Sequence, residues 1–232
     1  MPRSSSSAAQ RRHESADGER PTPRAGRPAQ GRELRARGQR TLRKLLDAGA
    51  EVFAQRGYHA ARVDDIVKLA RTSHGTFYLY FSNKEDLFGA LTAEVATAMH
   101  ELAETLPALE PGPAGLASLR DWVAGFSELY DRYGPVIIAW TEAEIGDSSF
   151  GRQGDDLIAQ LAGVLVARIR VVGPPGIEAP VAALALVAMI ERLHYYAMTR
   201  QVRLVHDAMI DTLASVTHAA ICGPSARSPS AR

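Results

Sequence analysis

The chain has 232 residues, which is enough for one large domain or two small ones. Its 27 Lys and Arg nearly balance its 26 Asp and Glu, but the two signs are unevenly distributed. Residues 1–84 carry 17 basic and 8 acidic residues, whereas residues 85–232 carry 10 and 18. This asymmetry disfavours a uniformly basic coat protein and indicates that the N-terminal part alone binds a polyanion.

Cysteine content and hydropathy indicate the compartment. The lone Cys222 excludes a disulfide framework within the chain, and we interpret it as an inert packing residue rather than a redox sensor. The N-terminus has no apolar segment of signal-peptide type. The longest apolar run, 179–190, has about half the length needed to span a bilayer. We therefore expect a soluble cytoplasmic protein without a membrane partner.

The first 33 residues are mostly Ser, Arg, Pro, Gly and Ala, a composition that cannot bury enough surface to fold. We expect a disordered basic arm here. Two interpretations stay open, an arm that contacts DNA phosphates or a minor groove and a tail without a specific role. Residues 223–232, which begin with Gly-Pro, are expected to form a second disordered tail.

Helical periodicity begins after the arm. Apolar residues at three- and four-residue steps predict a first helix over Leu34–Gln55, which Gly57 ends: Leu42, Leu45, Leu46, Gly49 and Phe53. A short second helix fits Val63–Ala70, with Ile66, Leu69 and Ala70 facing inward. After a break at 71–73, Ser73 is a suitable N-cap for a third helix over His74–Phe81. Ser82 and Glu85 form a capping box that predicts a long fourth helix.

Pro and Gly divide the remainder of the chain at 107–115, 134–135, 173–175 and 223–224. The segments between these breaks predict four further helices: Leu116–Tyr133, Val136–Ile145, about Asp155–Val172, and Pro180 to about Ala220. The last of these is expected to break near Gln201. No segment shows sustained two-residue alternation, so we predict an all-α fold of about nine or ten helices.

Two short helices joined by a three-residue break after a longer helix match a helix-turn-helix. The exposed positions of the third helix carry hydrogen-bonding side chains of the kinds that contact bases and phosphates. These are His74, Thr76, Tyr78 and Tyr80, with Lys84 just beyond the helix. Gly75 leaves room for a DNA strand to approach. The spacing alone is a weak signal, because many helical proteins contain such a corner.

The segment Val63–Leu87 resembles the signature of tetracycline-repressor (TetR/AcrR-type) transcriptional regulators. The specific elements are Gly75-Thr76-Phe77-Tyr78, Tyr80-Phe81 and Lys84-Glu85, and Leu45–Phe53 with Gly57-Tyr58 is similar to the family's first helix. The resemblance implies an N-terminal three-helix helix-turn-helix DNA-binding domain at 34–93. It also implies a larger helical ligand-binding and dimerisation domain at 94–222.

The resemblance further implies roles for individual residues. Phe77 and Phe81 correspond to packing positions. The predicted DNA contacts are Arg62, Arg71, Thr72, Ser73, His74, Gly75, Thr76, Tyr78, Tyr80 and Lys84. One departure concerns the turn, where the family usually has Gly and an aliphatic residue and this chain has Arg71-Thr72. Arg71 must therefore tolerate the turn conformation, and it either contacts phosphate or is simply solvated.

For the second domain, the resemblance implies a homodimer formed by the last two long helices, Pro180–Met198 and Val202–Ala220. It also implies a pocket for an unknown small-molecule effector. The candidate pocket residues are large and amphipathic, although such residues at helical spacing more often form a core than a pocket: Trp122, Phe126, Tyr130, Trp140 and Tyr195.

Two other classes of protein are less consistent with the sequence. We expect no enzyme, cofactor or metal, because the sequence has no phosphate loop, nucleophile elbow or His/Cys/Asp cluster at metal spacing. An adaptor that does not bind DNA would leave the polar third helix beside the basic arm unexplained. The sequence therefore favours a regulator that binds a DNA operator as a dimer, and repression is the family's commoner mode of action.

Overall fold

The computed structural model of the protein describes residues 36–144 and 148–223, so the predictions for the basic arm and for the tail beyond Gly223 lie outside the described residues. The all-α prediction is confirmed, since the described residues contain helices and no strands. The helices are α1 (Ala36–Ala60), α2 (Val63–Leu69), α3 (His74–Tyr80), α4 (Lys84–Glu104), α5 (Pro113–Glu144), α6 (Ser148–Val172), α7 (Ala179–Met198) and α8 (His206–Cys222).

The first helix ends as the sequence predicts. Gly57 has φ 73° and ψ 169°, so the regular helix of α1 stops there, although one further turn follows it. Two conditions require glycine at this position. The positive φ is strained for any residue with a side chain, and a Cβ would lie 2.6 Å from Glu142 Oε2.

The N-cap of α4 differs from the prediction by one residue. Asn83, and not Ser82, is the N-cap, and its side chain accepts a hydrogen bond from Asp86 N at 2.7 Å. Asp86 Oδ2 in turn accepts a bond from Ser82 N at 2.9 Å. The predicted capping box of Ser82 and Glu85 is therefore wrong. Asparagine is also a good N-cap residue, and Asp86 is an acidic residue three positions after Asn83.

The inward face of α2 also needs a correction. Ile66 and Ala70 are buried as predicted, but Leu69 is 46% exposed and Val67 takes its place in the core. The helix has only seven residues, so a small rotation exchanges one apolar position for its neighbour.

The predicted break at Gly134-Pro135 is absent. One helix, α5, runs from Pro113 to Glu144, and the chain consequently forms eight helices within the described residues instead of nine or ten. Gly134 is buried against the Met198 side chain, where a Cβ would collide with the sulfur. The glycine thus serves helix packing here, and the proline removes one backbone bond without ending the helix.

The remaining boundaries shift by a few residues. The sixth helix begins at Ser148 rather than near Asp155, because Phe150 is already part of the core. The predicted break near Gln201 is confirmed, since α7 ends at Met198 and α8 begins at His206. The last predicted helix therefore starts four residues later than Val202.

Helix α5 is the centre of the molecule and packs against α1, α4, α6, α7 and α8. Surface ion pairs connect neighbouring helices, among them Arg43 with Glu94 at 2.9 Å and Arg120 with Asp211 at 2.6 Å. The predicted domain boundary at residue 93 falls inside the continuous helix α4. The boundary itself stays a prediction.

The apolar run at 179–190, which by itself is too short for a membrane span, continues as a helix to Met198. Helix α7 is therefore long and apolar enough, by length and composition, to cross a membrane. A helix in a protein core passes the same test. One face of α7 packs inside the molecule, and its C-terminal half contains Glu191, Arg192 and His194.

Candidate nucleic-acid interface

The turn between α2 and α3 has an unusual backbone. Arg71 has φ 52°, in the left-handed region that glycine adopts most readily. Backbone bonds hold the turn on either side, from Ala70 N to Ile66 O at 2.9 Å and from Thr72 N to Val67 O at 3.0 Å. Arg71 therefore tolerates the turn conformation, as its place in the sequence requires, and its side chain is exposed.

The N-terminus of α3 is held by its own side chains. Ser73 is the predicted N-cap, and its Oγ accepts a bond from Thr76 N at 3.1 Å and lies 3.0 Å from Thr76 Oγ1. His74 Nε2 donates to Asp64 Oδ1 of α2 at 2.6 Å. Gly75 is exposed, and a Cβ there would meet only Ser73 Oγ, at 3.8 Å. A broad polar surface with an accessible backbone results.

The two faces of α3 are distinct. Phe77 and Phe81 are fully buried, as their predicted packing role requires. Tyr78 is 50% exposed and Leu79 is 61% exposed. Thr76 and Tyr80 are only half-buried, and the Tyr80 hydroxyl donates to Gly38 O of α1 at 3.2 Å. Leu79 is an outward residue that was not predicted from the sequence, because its apolar character favours packing.

Residues 45–91 match the model of the bacterial regulatory proteins of the tetR family. This segment contains all but the beginning of α1, together with α2, α3 and the first residues of α4. We call this matching segment the tetR-family domain.

The chain is similar to several known proteins over different lengths. It is 37% identical over 73 residues to an uncharacterized HTH-type transcriptional regulator, YdgC of Bacillus subtilis, covering 32% of this chain and 37% of that protein. It is 34% identical over 143 residues to the transcriptional regulator AcuR of Cereibacter sphaeroides, covering 62% of each. The solved structure of FadR from Bacillus subtilis with stearoyl-CoA aligns with a TM-score of 0.60 at 19% identity, covering 78% of this chain and 98% of FadR.

The first four curated relatives, all from Bacillus subtilis, are matched over only 26–37% of their own lengths. These similarities span 51–73 residues, little more than the segment that matches the tetR-family model. The likeness to FadR covers most of both chains but concerns the fold alone.

Lys84 has an intramolecular role that was not predicted from the sequence. Its Nζ donates to the carbonyl oxygens of Tyr58, His59 and Ala61 at 2.9, 3.2 and 3.2 Å, and it lies 4.9 Å from the centroid of the Tyr58 ring. The ammonium thus caps the end of α1 and attaches α4 to it. Its predicted phosphate contact stays a prediction.

Exposed arginines lie within the tetR-family domain and just before it. Arg62 is the N-cap residue of α2 and is exposed, like Arg71. Arg37 and Arg40, also exposed, lie at the start of α1, next to the Gly38 carbonyl that binds Tyr80. These two arginines are not among the predicted contacts, since only the fold brings the start of α1 beside the end of α3.

A junction joins the tetR-family domain to the rest of the molecule. Tyr58 N donates to Glu142 Oε2 at 2.9 Å, and His59 Nε2 donates to Glu142 O at 3.2 Å. Beside these bonds, the Phe150 ring of α6 packs against Tyr58 and Phe88 at centroid distances of 5.9 and 5.1 Å. The end of α5 and the start of α6 therefore contact the tetR-family domain directly.

A cavity of about 360 Å³ lies between α5, α7 and the start of α8. Its polar lining includes Ser127, Tyr130, Asp131, His194 and His206. A volume in this range is typical of small-molecule sites in proteins.

Of the five aromatic residues predicted to line a pocket, the structure places Tyr130 on this cavity and the other four elsewhere. Trp122 is buried and donates from Nε1 to Leu102 O at 2.9 Å, and Trp140 donates to Phe150 O at 3.0 Å. Phe126 is buried against Trp122 and Tyr130. Tyr195 is half-buried, 5.0 Å from the Arg192 guanidinium. A large aromatic stripe at helical spacing fits both a core and a pocket, and here it mostly forms the core.

His194 is buried beside the cavity with a defined tautomer. Its Nδ1 lies 2.7 Å from Ile190 O, and since a carbonyl only accepts, Nδ1 carries the proton. Its Nε2 lies 2.5 Å from Ser127 Oγ. Burial lowers the pKa of His194, despite the opposing bond to the Ile190 carbonyl. The ring is therefore neutral, and Nε2 accepts the proton of the Ser127 hydroxyl.

This burial predicts a pH dependence of stability. Above the ordinary pKa of histidine, the His194 ring is neutral in both the folded and the unfolded chain. As the pH falls through that value, His194 of the unfolded chain binds a proton that His194 of the folded chain does not bind. We expect the free energy of unfolding to fall more steeply from about pH 7.5 to about pH 5.5 in the wild type than in His194→Gln, by up to about 1.4 kcal/mol per pH unit. Urea unfolding at each pH measures the slopes, and parallel slopes would contradict this assignment of a neutral ring.

Proposed function

We propose that the protein is a transcriptional regulator, most simply a repressor, that binds a two-fold symmetric DNA operator as a homodimer in the cytoplasm. The observation that carries the proposal is the exposed polar start of α3 within a segment that matches the tetR family. Helix α3 enters the major groove, where the edges of the bases are accessible.

Within α3, contacts divide by position. Ser73, His74, Gly75 and Thr76 lie at the helix start, where side chains and backbone come closest to the base edges. Tyr78 projects from the middle of the helix, beside Leu79, which can contact a thymine methyl group. Arg62, Arg71 and Thr72 flank the helix and bind phosphates, and Arg37 and Arg40 extend this basic surface.

Dimerisation through α7 and α8 is supported by their outer faces. Val181 and Leu184 of α7 are 69% and 53% exposed, and Ala185 and Ala188 continue the same helical face. On α8, Val216 is 47% exposed within a row of small residues: Ala208, Thr212, Ser215 and Ala219. Small and apolar side chains let helices from two chains approach closely, so a four-helix contact between two copies buries both faces.

A small-molecule effector controls the DNA-binding state in this proposal. One solved neighbour, FadR from Bacillus subtilis, is in complex with stearoyl-CoA. In this chain the cavity between α5 and α7 is the effector site, and α5 continues from it to Glu142 at the DNA-binding domain. A change at the cavity can thus reach α1 along a single helix.

The test uses DNA sites selected from random sequence by the wild-type protein. Thr76→Ala and His74→Ala are expected to relax sequence preference, since each lost base contact costs about 1–3 kcal/mol of discrimination. Affinity for the selected duplex and for a scrambled duplex is measured for each variant. Thr97→Ala, an exposed threonine of α4, is the matched control and should leave both affinities unchanged.

Because Ser73 and Asp64 hold the two tested side chains, each variant's melting temperature is measured as well. If both variants keep full discrimination while they fold normally, the bases are read elsewhere, and the assignment of α3 is wrong.

A further inference from the structure

The hydrogen-bonding state of the cavity wall indicates which ligands it accepts. In its lining, the Ser127 hydroxyl donates to Nε2 of the neutral His194 ring. Ser127 is 1% exposed and His194 is 3% exposed. The only hydroxyl proton of Ser127 is used in this bond, so its oxygen presents lone pairs and no donor to the cavity.

Tyr130 is in the same state. Its hydroxyl donates to Glu191 Oε1 at 3.3 Å, and its ring packs against Phe126 and His194 at centroid distances of 5.1 and 5.3 Å. The phenol oxygen therefore also offers only an acceptor. Two buried donors of the wall are thus already committed to partners within the protein.

Among the lining residues that the structure describes, Asp131 is the only acidic one, and the nearby Arg192, which acts on Tyr130, lies outside the lining. Asp131 lies next to Tyr130 on α5, and its carboxylate is exposed. Among the described residues that line the cavity there is no Lys and no Arg. The other polar lining residue, His206, lies at the start of α8. A negative carboxylate and acceptor oxygens together favour a ligand that brings positive charge and N–H groups.

The lining also contains large apolar side chains. Met198, Leu204 and Met209 line the cavity, and Met209 is buried. Thioether side chains adapt to differently shaped hydrocarbon groups. The cavity lining therefore combines a carboxylate and acceptor oxygens with flexible apolar side chains.

We propose that this cavity binds a small organic ammonium, with its N–H groups on Asp131 and Ser127 and its hydrocarbon part against Met198 and Met209. The inference rests on the proposed function, since it names the chemical class of the effector. A ligand such as stearoyl-CoA brings phosphates, which a carboxylate repels and which no Lys or Arg of the lining would neutralise. The ligand class of this chain thus differs from that of the FadR complex.

The probes are benzylammonium and two molecules of nearly equal shape, benzyl alcohol and benzoate. Calorimetry and thermal melting of the full chain measure binding at millimolar concentrations. Benzylammonium is expected to bind and to raise the melting temperature, with benzyl alcohol weaker and benzoate inactive. Asp131→Asn is expected to weaken benzylammonium binding about tenfold, as the loss of one charge-assisted hydrogen bond implies.

Asp121→Asn is the matched control, because Asp121 is an exposed aspartate of the same helix that does not line the cavity, and it should leave binding unchanged. The proposal is overturned if benzoate binds as tightly as benzylammonium, or if benzylammonium does not bind. It is also overturned if Asp131→Asn and Asp121→Asn weaken benzylammonium binding equally. Binding to the selected DNA is measured separately. A protein that binds its DNA site but not the ammonium refutes the ligand class alone, whereas one that binds no DNA refutes the proposed function.

Discussion

Replacement of Phe77 by alanine is expected to lower the free energy of unfolding by about 3–5 kcal/mol. The side chain is fully buried, and its ring packs against Phe81 and Tyr78 at centroid distances of 5.7 and 5.4 Å. Phe77 is the one buried side chain among the seven residues of α3, so its ring is the main contact between this helix and the core of the tetR-family domain. Urea or thermal unfolding measures the loss.

Leu79→Ala is the matched control for Phe77→Ala. Leu79 lies on the same helix but is 61% exposed, so its truncation should change stability by no more than about 0.5 kcal/mol. Neither variant should alter the oligomeric state. If Phe77→Ala melts like the wild type and loses only sequence preference, α3 is rotated from its place in the structure.

A charge on the outer face of α7 is expected to separate the dimer. Leu184→Arg places a guanidinium in the centre of the proposed contact, where a second copy would bury it without a partner. The variant should be monomeric at micromolar concentration. Its operator affinity should fall by about 10²–10⁴-fold, because two linked half-site contacts become independent.

Light scattering and gel-shift titration measure these two effects. Ile158→Arg is the control, since Ile158 is a similarly exposed apolar residue, at 42%, on α6. It should leave the dimer and its DNA affinity intact. A Leu184→Arg protein that remains a dimer would place the interface elsewhere, and one that is a monomer with full affinity would contradict the need for two half-sites.

The sequence predicts the helix-turn-helix closely because its signals are local. The Ser73 cap, the stop at Gly57 and the burial of Phe77 and Phe81 each depend on a few neighbouring residues. The predicted capping box at Ser82 is wrong because local signals do not distinguish two adjacent residues that both cap helices well. The contacts of Asp86 with Ser82 N and Asn83 Oδ1 decide between them.

Features that depend on distant residues are not predictable in this way. Gly134, followed by a proline, predicts a helix break, and only the fold shows Met198 of α7 packed against it. Lys84 matches a phosphate-binding position, but its three carbonyl partners lie more than twenty residues earlier in the chain. The Ser127–His194 pair joins residues 67 positions apart, and no short-range pattern indicates it.

We propose that two copies of this chain read one two-fold DNA site through α3. The most direct measurement is selection of DNA from a random pool by the wild-type protein, followed by light scattering of the complex with the enriched duplex. The expected enriched sequence is an inverted repeat that binds two chains, or four chains where two dimers share the site. The affinity for this duplex should be well above the affinity for the scrambled duplex. A pool without enrichment, or a single chain bound to an asymmetric site, would contradict the claim.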